Sequence, residues 1–124
     1  MALDRPEIDF PEGQPPQILD ITDIEVGDGP EATRGSTVSM QYVGVSWSTG
    51  EEFDASWNRG APFTFTIGEG RVIKGWDMGI PGMKVGGRRK LVIPPHLAYG
   101  DHSPSPRIKP GETLIFVVDL VEVR

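Results

Sequence analysis

Two stretches of the chain alternate between apolar and polar side chains. Val38, Met40 and Tyr42 occupy every second position of the first stretch, and Phe63 and Phe65 do the same in the second. Successive side chains of a β-strand point to opposite faces, so a period of two predicts a strand buried on one face. The two predicted half-buried strands are residues 37–45 and 63–67.

Three other stretches predict further strands. Residues 18–26 are apolar at nearly every second or third position and end at Gly27, and residues 88–93 end in Leu-Val-Ile before Pro94; both patterns are typical of strands. Residues 114–121 are apolar at every position except Asp119. Such a stretch predicts a strand that is buried on both faces and lies in the middle of a sheet.

A short helix is predicted from Val72 to Ile80. Ile73 and Trp76 would share one face with Ile80, and Pro81 would end the helix. Short strands separated by hairpin-sized turns favour antiparallel pairing, and one helix can cover only the inner face of a curved sheet. The predicted fold class is therefore α+β, with an antiparallel sheet of five to six strands and one short helix.

The first 16 residues differ in composition from the rest of the chain. They contain four prolines among acidic residues and carry few apolar side chains. Such a segment buries too little surface to offset the entropy of ordering. We predict a disordered or loosely attached tail over residues 1–16, for which a partner-binding arm is the alternative, and one folded domain over residues 17–124.

Composition and charge narrow the class of partner. The formal net charge is −6 and the pI is about 4.8, whereas nucleic acids and anionic membranes attract basic surfaces. The chain has no cysteine, which excludes disulfides and thiolate zinc sites. It has no apolar run long enough to span a membrane, and no signal-peptide core follows the first residue. We predict a cytoplasmic protein with neither a nucleic-acid nor a membrane partner.

Few residues are suited to metal or covalent chemistry. His96 and His102 are the only histidines, and neither belongs to a cluster with metal-ligand spacing. No serine stands in a Gly-x-Ser-x-Gly elbow. Gly68-Glu69-Gly70 lacks the third glycine and the strand–helix spacing of a phosphate-binding loop. We therefore predict that the protein uses no metal and no cofactor.

Aromatic residues offer a different kind of site. Aromatics dominate hydrophobic cores, so the set taken alone is more often plain core than a binding site. Two tyrosine hydroxyls, the position of Asp54 directly after a phenylalanine, and the free N–H groups of a predicted helix N-terminus favour an apolar site with a few polar groups. Six of the ten aromatics come from six separate segments: Tyr42, Phe53, Phe63, Trp76, Tyr99 and Phe116.

Taken together, the motifs around these aromatics resemble the FKBP-type peptidyl-prolyl isomerases, the macrolide-binding family, in their bacterial single-domain form. The resemblance covers the chain from near Ile18 to its last residues, and it implies a twisted antiparallel sheet wrapped around a short helix. The matching motifs are Tyr42-Val43-Gly44, Phe53-Asp54-Ala55-Ser56, Pro62-Phe63, Val72-Ile73-Lys74-Gly75-Trp76, Ala98-Tyr99-Gly100 and Leu114-Ile115-Phe116.

The resemblance implies a role for each site residue. Trp76 would be the floor beneath a substrate proline ring, and the Ile73 backbone N–H and the Tyr99 hydroxyl would each hold a substrate carbonyl. Asp54 would orient the site by pairing with Arg59 or Tyr42. These four residues form the predicted catalytic group: Asp54, Tyr99, Ile73 and Trp76. The predicted substrate-binding residues are Tyr42, Phe53, Arg59, Phe63, Val72, Ile108 and Phe116.

The resemblance also implies partners. They are proline-containing peptides and folding proteins as substrates, with macrolides such as rapamycin and tacrolimus as inhibitors of a monomeric enzyme. The alternative is a proline-peptide or client-protein binding module with little turnover. Pro104 and Arg107 depart from the better-known family pattern, which has His and Ile at these loop positions, and two prolines in this loop are expected to stiffen it.

Overall fold

The computed structural model describes residues 3–9, 11 and 13–124 of the chain. Two 3₁₀ turns, Ser56–Arg59 and Pro95–Leu97, follow the third and fifth strands of this part. The regular elements are β1 (Asp20–Glu25), β2 (Thr37–Ser46), β3 (Glu52–Ala55), β4 (Phe63–Thr66), α1 (Lys74–Gly79), β5 (Arg88–Ile93) and β6 (Leu114–Val123).

The six strands form one antiparallel sheet in the order β1-β5-β6-β2-β3, and β4 also pairs with β2. One edge of β2 pairs with β6, while its other edge pairs first with β4 and then with β3. The predicted α+β class, with an antiparallel sheet and one short helix, is confirmed. Because β2 is shared by β3, β4 and β6, it joins the segments that carry most of the aromatic residues.

The helix α1 begins two residues later than the sequence pattern predicts. Ile73 has a φ of −59° and a ψ of 151°, so its backbone is extended and Val72 lies outside the helix. The N–H of Trp76 donates to the Ile73 carbonyl at 3.0 Å, which makes Ile73 the N-cap residue. The helix has six residues, and no helix within the described ranges is long and apolar enough to cross a membrane.

Two glycines allow α1 to lie directly on β5. A Cβ atom at Gly75 would lie 2.5 Å from the Ile93 side chain, and one at Gly79 would lie 2.8 Å from the Leu91 side chain. Real side chains do not approach so closely, so a larger residue at either position would force the helix away from the sheet. This contact places Trp76 against the inner face of the sheet.

The alternating residues of β2 pack as the sequence predicts. Val38, Met40 and Tyr42 are buried in the main core on the inner face, together with Trp76 and Ile80 of the helix region. The same core takes residues from β4, β5 and β6. The predicted face of Ile73, Trp76 and Ile80 therefore points into the sheet.

The outer face of the sheet has a smaller apolar cluster. Val43, Val45 and Ala55 are buried there. Partly buried Ile8, from the N-terminal segment, and Trp57, from the 3₁₀ turn after β3, pack against them. The side chains of β2 that face away from the main core are therefore covered in part by a residue far away in sequence.

The N-terminal segment also contacts the domain at other positions. The Arg88 guanidinium donates to the Asp4 carbonyl, and Pro6 is buried. Residues 1, 2, 10 and 12 lie outside the described residues. The loose attachment of residues 1–16 and the boundary at residue 17 stay predictions.

Asp119, the one charged residue in the apolar stretch of β6, is buried and paired. Arg88 Nε donates to Asp119 Oδ1 at 2.7 Å, and Arg88 Nη2 donates to Oδ2 at 2.8 Å. The two side chains are 14% and 9% exposed. This fork-to-carboxylate geometry satisfies both oxygens, which explains how an aspartate is tolerated in a strand buried on both faces.

We predict that Arg88→Met lowers the free energy of unfolding by about 3 kcal/mol, because it leaves a buried carboxylate without its counter-charge. Urea unfolding followed by tryptophan fluorescence measures this loss. The matched control is Arg124→Met, which removes an ion pair with Glu122 whose side chains are 64% and 53% exposed. The control is expected to cost less than about 1 kcal/mol, and equal losses in the two variants would contradict the prediction.

Candidate active site

An open cavity of about 200 Å³ lies over the side chain of Trp76. It is bounded by strands of the sheet, by the loop that precedes α1 and by the loop that follows the second 3₁₀ turn. All of the predicted site residues line it except Arg59 and Ile108. The lining residues are Tyr42, Phe53, Asp54, Phe63, Arg71, Val72, Ile73, Trp76, Tyr99 and Phe116.

The floor of the cavity is a cluster of aromatic rings centred on Trp76. The Trp76 ring centroid lies 5.0 Å from that of Tyr42 and 5.2 Å from that of Phe116, with interplanar angles of 79° and 83°. Phe65 and Phe63 follow at 5.7 Å and 6.3 Å. Edge-to-face pairs of this kind hold each ring in one orientation, so the floor is rigid.

Phe65 is absent from the predicted site residues, yet its ring packs on the Trp76 ring. It is buried in the core, whereas Phe63 is 38% exposed and lies at the rim of the cavity. The two phenylalanine rings stack at 5.6 Å. The alternation in β4 predicts that Phe63 and Phe65 share one face of the strand. The pattern alone does not show that the buried Phe65 supports the floor of the cavity.

An irregularity in the pairing of β2 with β3 places Phe53 on the cavity wall. Gly44 pairs with Asp54 and Val45 pairs with Glu52, so the register shifts at Phe53. A Cβ atom at Gly44 would lie 2.6 Å from the Phe53 ring and 2.7 Å from the Phe116 ring. The missing side chain at Gly44 therefore makes the space in which these two rings meet edge to face, at 5.4 Å.

Asp54 belongs to a hydrogen-bonded triad at the edge of the cavity. The Tyr42 hydroxyl donates to Asp54 Oδ2 at 2.5 Å, and Arg59 Nη1 donates to Asp54 Oδ1 at 2.8 Å. Arg59 Nη2 also donates to the Tyr42 hydroxyl oxygen at 2.6 Å. The sequence leaves open whether Asp54 pairs with Arg59 or with Tyr42, and in the structure it pairs with both.

The triad fixes the charge of its members. Burial acts to raise the pKa of Asp54, but hydrogen bonds from Tyr42 and Arg59 outweigh it and hold that pKa below its usual value. Burial and the bond to Asp54 raise the pKa of Tyr42, although Arg59 opposes them. At neutral pH the triad therefore consists of a carboxylate, a neutral hydroxyl and a guanidinium.

The loop before α1 is held by a carboxylate on the helix. Asp77 Oδ1 accepts from the Gly68 N–H at 2.8 Å, and Asp77 Oδ2 accepts from the Gly70 N–H at 3.2 Å. These bonds fix the loop that carries Val72 and Ile73 into the cavity wall. Within the described residues, no hydrogen bond uses the Ile73 N–H, so it is available to a ligand. Asp77 is a positioning residue that the sequence patterns do not signal.

Tyr99 is the second polar group of the cavity that is available to a ligand. It is 37% exposed, and the loop around it is closed by bonds from the Gly100 N–H to the Pro95 carbonyl and from the Gly111 N–H to the Gly100 carbonyl, both at 2.8 Å. Burial, and then the nearby Asp54 carboxylate, raise the pKa of Tyr99. Its hydroxyl therefore stays protonated and can donate a hydrogen bond.

Three residues lie elsewhere than the sequence suggests. Arg59 does not line the cavity but acts on it through Asp54 and Tyr42. Ile108 is buried in the main core and is not among the lining residues, so its substrate contact stays a prediction. Arg71 lines the cavity without having been predicted; its position directly before Val72 is the signal that could have identified it.

The loop that carries the two departures from the family pattern is folded against the domain. The Ser103 hydroxyl donates to the Ile108 carbonyl at 2.7 Å, and the Ser46 hydroxyl donates to the Arg107 carbonyl at 3.0 Å. The Arg107 guanidinium reaches the Glu52 carbonyl of β3 at 3.4 Å. The Arg107 side chain is therefore directed to β3 and is not among the residues that line the cavity.

The cavity offers binding rather than covalent chemistry. Its walls are mainly aromatic and aliphatic, and the polar groups that it offers to a ligand include the Ile73 N–H, the Tyr99 hydroxyl and the exposed Arg71 side chain. Within the described residues, no group of three or more His, Cys, Asp or Glu side chains could hold a metal ion. Such a cavity suits an uncharged ring flanked by carbonyl groups.

An antiparallel sheet with one short helix and an aromatic cavity over Trp76 is the arrangement expected for the FKBP-type peptidyl-prolyl isomerases, and sequence comparison agrees with this class. The family described as "FKBP-type peptidyl-prolyl cis-trans isomerase" matches residues 29–121. The chain belongs to this family, the FKBP-type peptidyl-prolyl cis-trans isomerases.

Individual relatives show the extent of the similarity. An "FK506-binding protein" of Streptomyces anulatus is 64% identical over 99% of this chain and 100% of its own length. A "Probable FK506-binding protein" of Corynebacterium glutamicum is 49% identical over 96% of this chain and 98% of its own. Among solved structures, AtFKBP13 has a TM-score of 0.76 with 44% identity, covering 86% of this chain and 93% of its own.

We predict that kcat/KM for peptide isomerisation is constant between about pH 5 and about pH 9, because Asp54 stays ionised and both tyrosines stay protonated across this range. The pKa of Asp54 is depressed, so the triad is intact above its usual pKa of 3.8 and is lost only as the pH falls through the lower folded-state value. Rates measured across this range, with circular dichroism at each pH to verify folding, test the prediction. A decline that begins near neutral pH would contradict it.

Proposed function

We propose that this protein accelerates rotation about X–Pro bonds by binding the twisted amide in the aromatic cavity. The observation that carries the proposal is the rigid floor of Trp76, flanked by two available donors, the Ile73 N–H and the Tyr99 hydroxyl. A proline ring would lie on the indole, and the donors would hold carbonyl groups on either side of it. The substrates are proline-containing peptides and folding proteins.

The physics of the reaction favours such a cavity. Rotation about an amide bond crosses a barrier of about 18–20 kcal/mol because the bond has partial double-bond character. A twisted amide has lost this resonance, so its carbonyl is less polar than that of the planar ground state. An apolar cavity therefore disfavours the twisted form less, and each ~1.4 kcal/mol of preferential binding gives about a tenfold rate increase.

In this mechanism Asp54 acts mainly by position. Its carboxylate holds the Tyr42 ring against Trp76 and ties Arg59 to the cavity edge. The Asp54 carboxylate also lines the cavity, where it would contribute to the electrostatic environment of the twisting carbonyl. No bond to the substrate forms or breaks, so the site needs no nucleophile.

We also propose that macrolides such as rapamycin and tacrolimus bind in this cavity and inhibit the enzyme. The printed names of the Streptomyces and Corynebacterium relatives assign FK506 binding to those proteins. The retention of an open cavity with its aromatic lining supports the same property here. We further propose a monomeric, cytoplasmic protein that assists protein folding.

The test is the cis-to-trans rate of a Leu-Pro peptide, measured by a protease-coupled assay or NMR exchange with and without rapamycin. Wild-type protein is expected to accelerate the reaction, and rapamycin is expected to abolish the acceleration. Acceleration that resists rapamycin would retain the enzyme but overturn the macrolide proposal. No acceleration from folded protein would favour a binding module with little turnover.

Three substitutions test the assigned roles. We predict that Tyr99→Phe lowers kcat/KM about fivefold and Asp54→Val about tenfold, since they remove a neutral and a charged hydrogen-bonding group. Trp76→Ala is expected to weaken rapamycin binding and, because it removes the floor on which the proline ring would lie, to lower kcat/KM as well, with circular dichroism to verify that the variant folds. The control is Met78→Ala, on the same helix as Trp76 but 57% exposed and outside the cavity lining. Wild-type rates in all three test variants would refute the role assignments.

A further inference from the structure

The segment from Glu52 to Arg59 carries a wall and the polar edge of the cavity. It contributes Phe53 and Asp54 from β3, and Arg59 from the 3₁₀ turn that follows. The segment is short, and Arg59 and Asp54 are largely solvent-exposed, with side-chain exposures of 51% and 43%. Their geometry therefore depends on what holds this segment against the sheet.

Besides the pairing of β3 with β2 and the Arg107 bond to Glu52, two further side-chain anchors hold this segment. On the buried side, the Ser56 hydroxyl donates to the Gln41 side-chain carbonyl at 2.6 Å and lies 2.7 Å from the Tyr42 backbone nitrogen, which donates to it. On the solvent side, the anchor comes from Arg5 in the N-terminal segment. The Arg5 guanidinium donates to the Glu52 carboxylate and, at 2.8 Å, to Asn58 Oδ1.

The contacts of Arg5 close a ring. Asn58 Nδ2 donates to Glu52 Oε2 at 3.0 Å, so the two residues that accept from Arg5 are also bonded to each other. Glu52 lies two positions before Asp54, and Asn58 lies one position before Arg59. The ring thus joins the two ends of the segment. Asp54 and Arg59, which form the ion pair, both belong to this segment.

Arg5 is itself held in place by its neighbours in sequence. The Asp4 carbonyl accepts from Arg88, which is fixed by its buried pair with Asp119. Pro6, directly after Arg5, is buried, and Ile8 packs against the outer apolar cluster of β2 and β3. The backbone on both sides of Arg5 is therefore restrained. Its guanidinium loses less conformational entropy on forming hydrogen bonds than a guanidinium on a free terminus would.

We propose that Arg5 is a positioning residue of the isomerase site, which acts by clasping Glu52 and Asn58 so that Asp54 and Arg59 keep their paired geometry. This inference rests on the proposed catalytic role of Asp54. An isolated surface ion pair contributes little to stability. A guanidinium that bridges two acceptors bonded to each other is part of a network, and such networks do contribute. The N-terminal segment is then part of the enzyme's working structure.

The experiment compares full-length wild type, Arg5→Ala and Glu7→Ala in the Leu-Pro isomerisation assay, with a thermal melt of each. Glu7 is an exposed charged residue of the same segment and serves as the matched control. Arg5→Ala is expected to lower kcat/KM about two- to fivefold, the range of a partly exposed ion pair, while Glu7→Ala leaves it unchanged. Arg5→Lys, which keeps the charge but reaches only one acceptor, is expected to lie in between.

A double-mutant cycle separates positioning from general stabilisation. If Arg5 acts through the Asp54–Arg59 pair, its substitution has no further effect on kcat/KM in an Arg59→Ala background. An equal loss in both backgrounds would overturn the positioning role, as would identical rates for Arg5→Ala and wild type. A folded wild-type protein without turnover would instead overturn the proposed function on which the inference rests, so the two failures are distinguishable.

Discussion

The packing of Trp76 between the helix and the sheet is the contact on which the rest of the structure depends. Its side chain is 4% exposed and touches rings from β2, β4 and β6. Burying an indole contributes about 4–6 kcal/mol. Its Nε1 has no hydrogen-bond partner among the described residues, which costs about 1–3 kcal/mol. The apolar gain is the larger, so the indole stabilises the core while its face forms the cavity floor.

The floor of the cavity and its polar edge are held in place by two different kinds of interaction. The floor belongs to the core and is fixed by ring packing, whereas the polar groups lie on exposed segments at the rim, as with Asp54 and Arg59. Ion pairs at such exposure contribute at most about 1 kcal/mol to stability. Their value therefore lies in holding orientation, and the contacts of Ser56 and of Arg5 restrain the segment that carries them.

The outer face of the sheet, which the helix does not cover, also contains buried residues. Strand β6 is buried on both faces from Leu114 to Leu120, so something must cover the side that the helix does not reach. On this side Ile8 packs against the neighbouring strands β2 and β3, and the paired Arg88 and Asp119 fill a buried polar position of β5 and β6. Ile8, which packs on the outer face, and Arg5, which bonds to the segment at the cavity edge, thus both belong to the N-terminal segment.

Much of the fold and the cavity follows from the sequence. Alternation in β2 and β4, two-sided apolarity in β6 and the 73–76–80 face of the helix indicate the class of fold, because these signals are local and periodic. The set of site residues comes from the resemblance of the sequence motifs to a known family. Other features depend on which distant segments meet, and only the tertiary structure decides them: the shift of register at Phe53, the double pairing of Asp54, the burial of Ile108 and the contacts of Arg5. No periodicity within one segment encodes such contacts, since each requires two segments to be placed in a particular register by the packing of the whole domain.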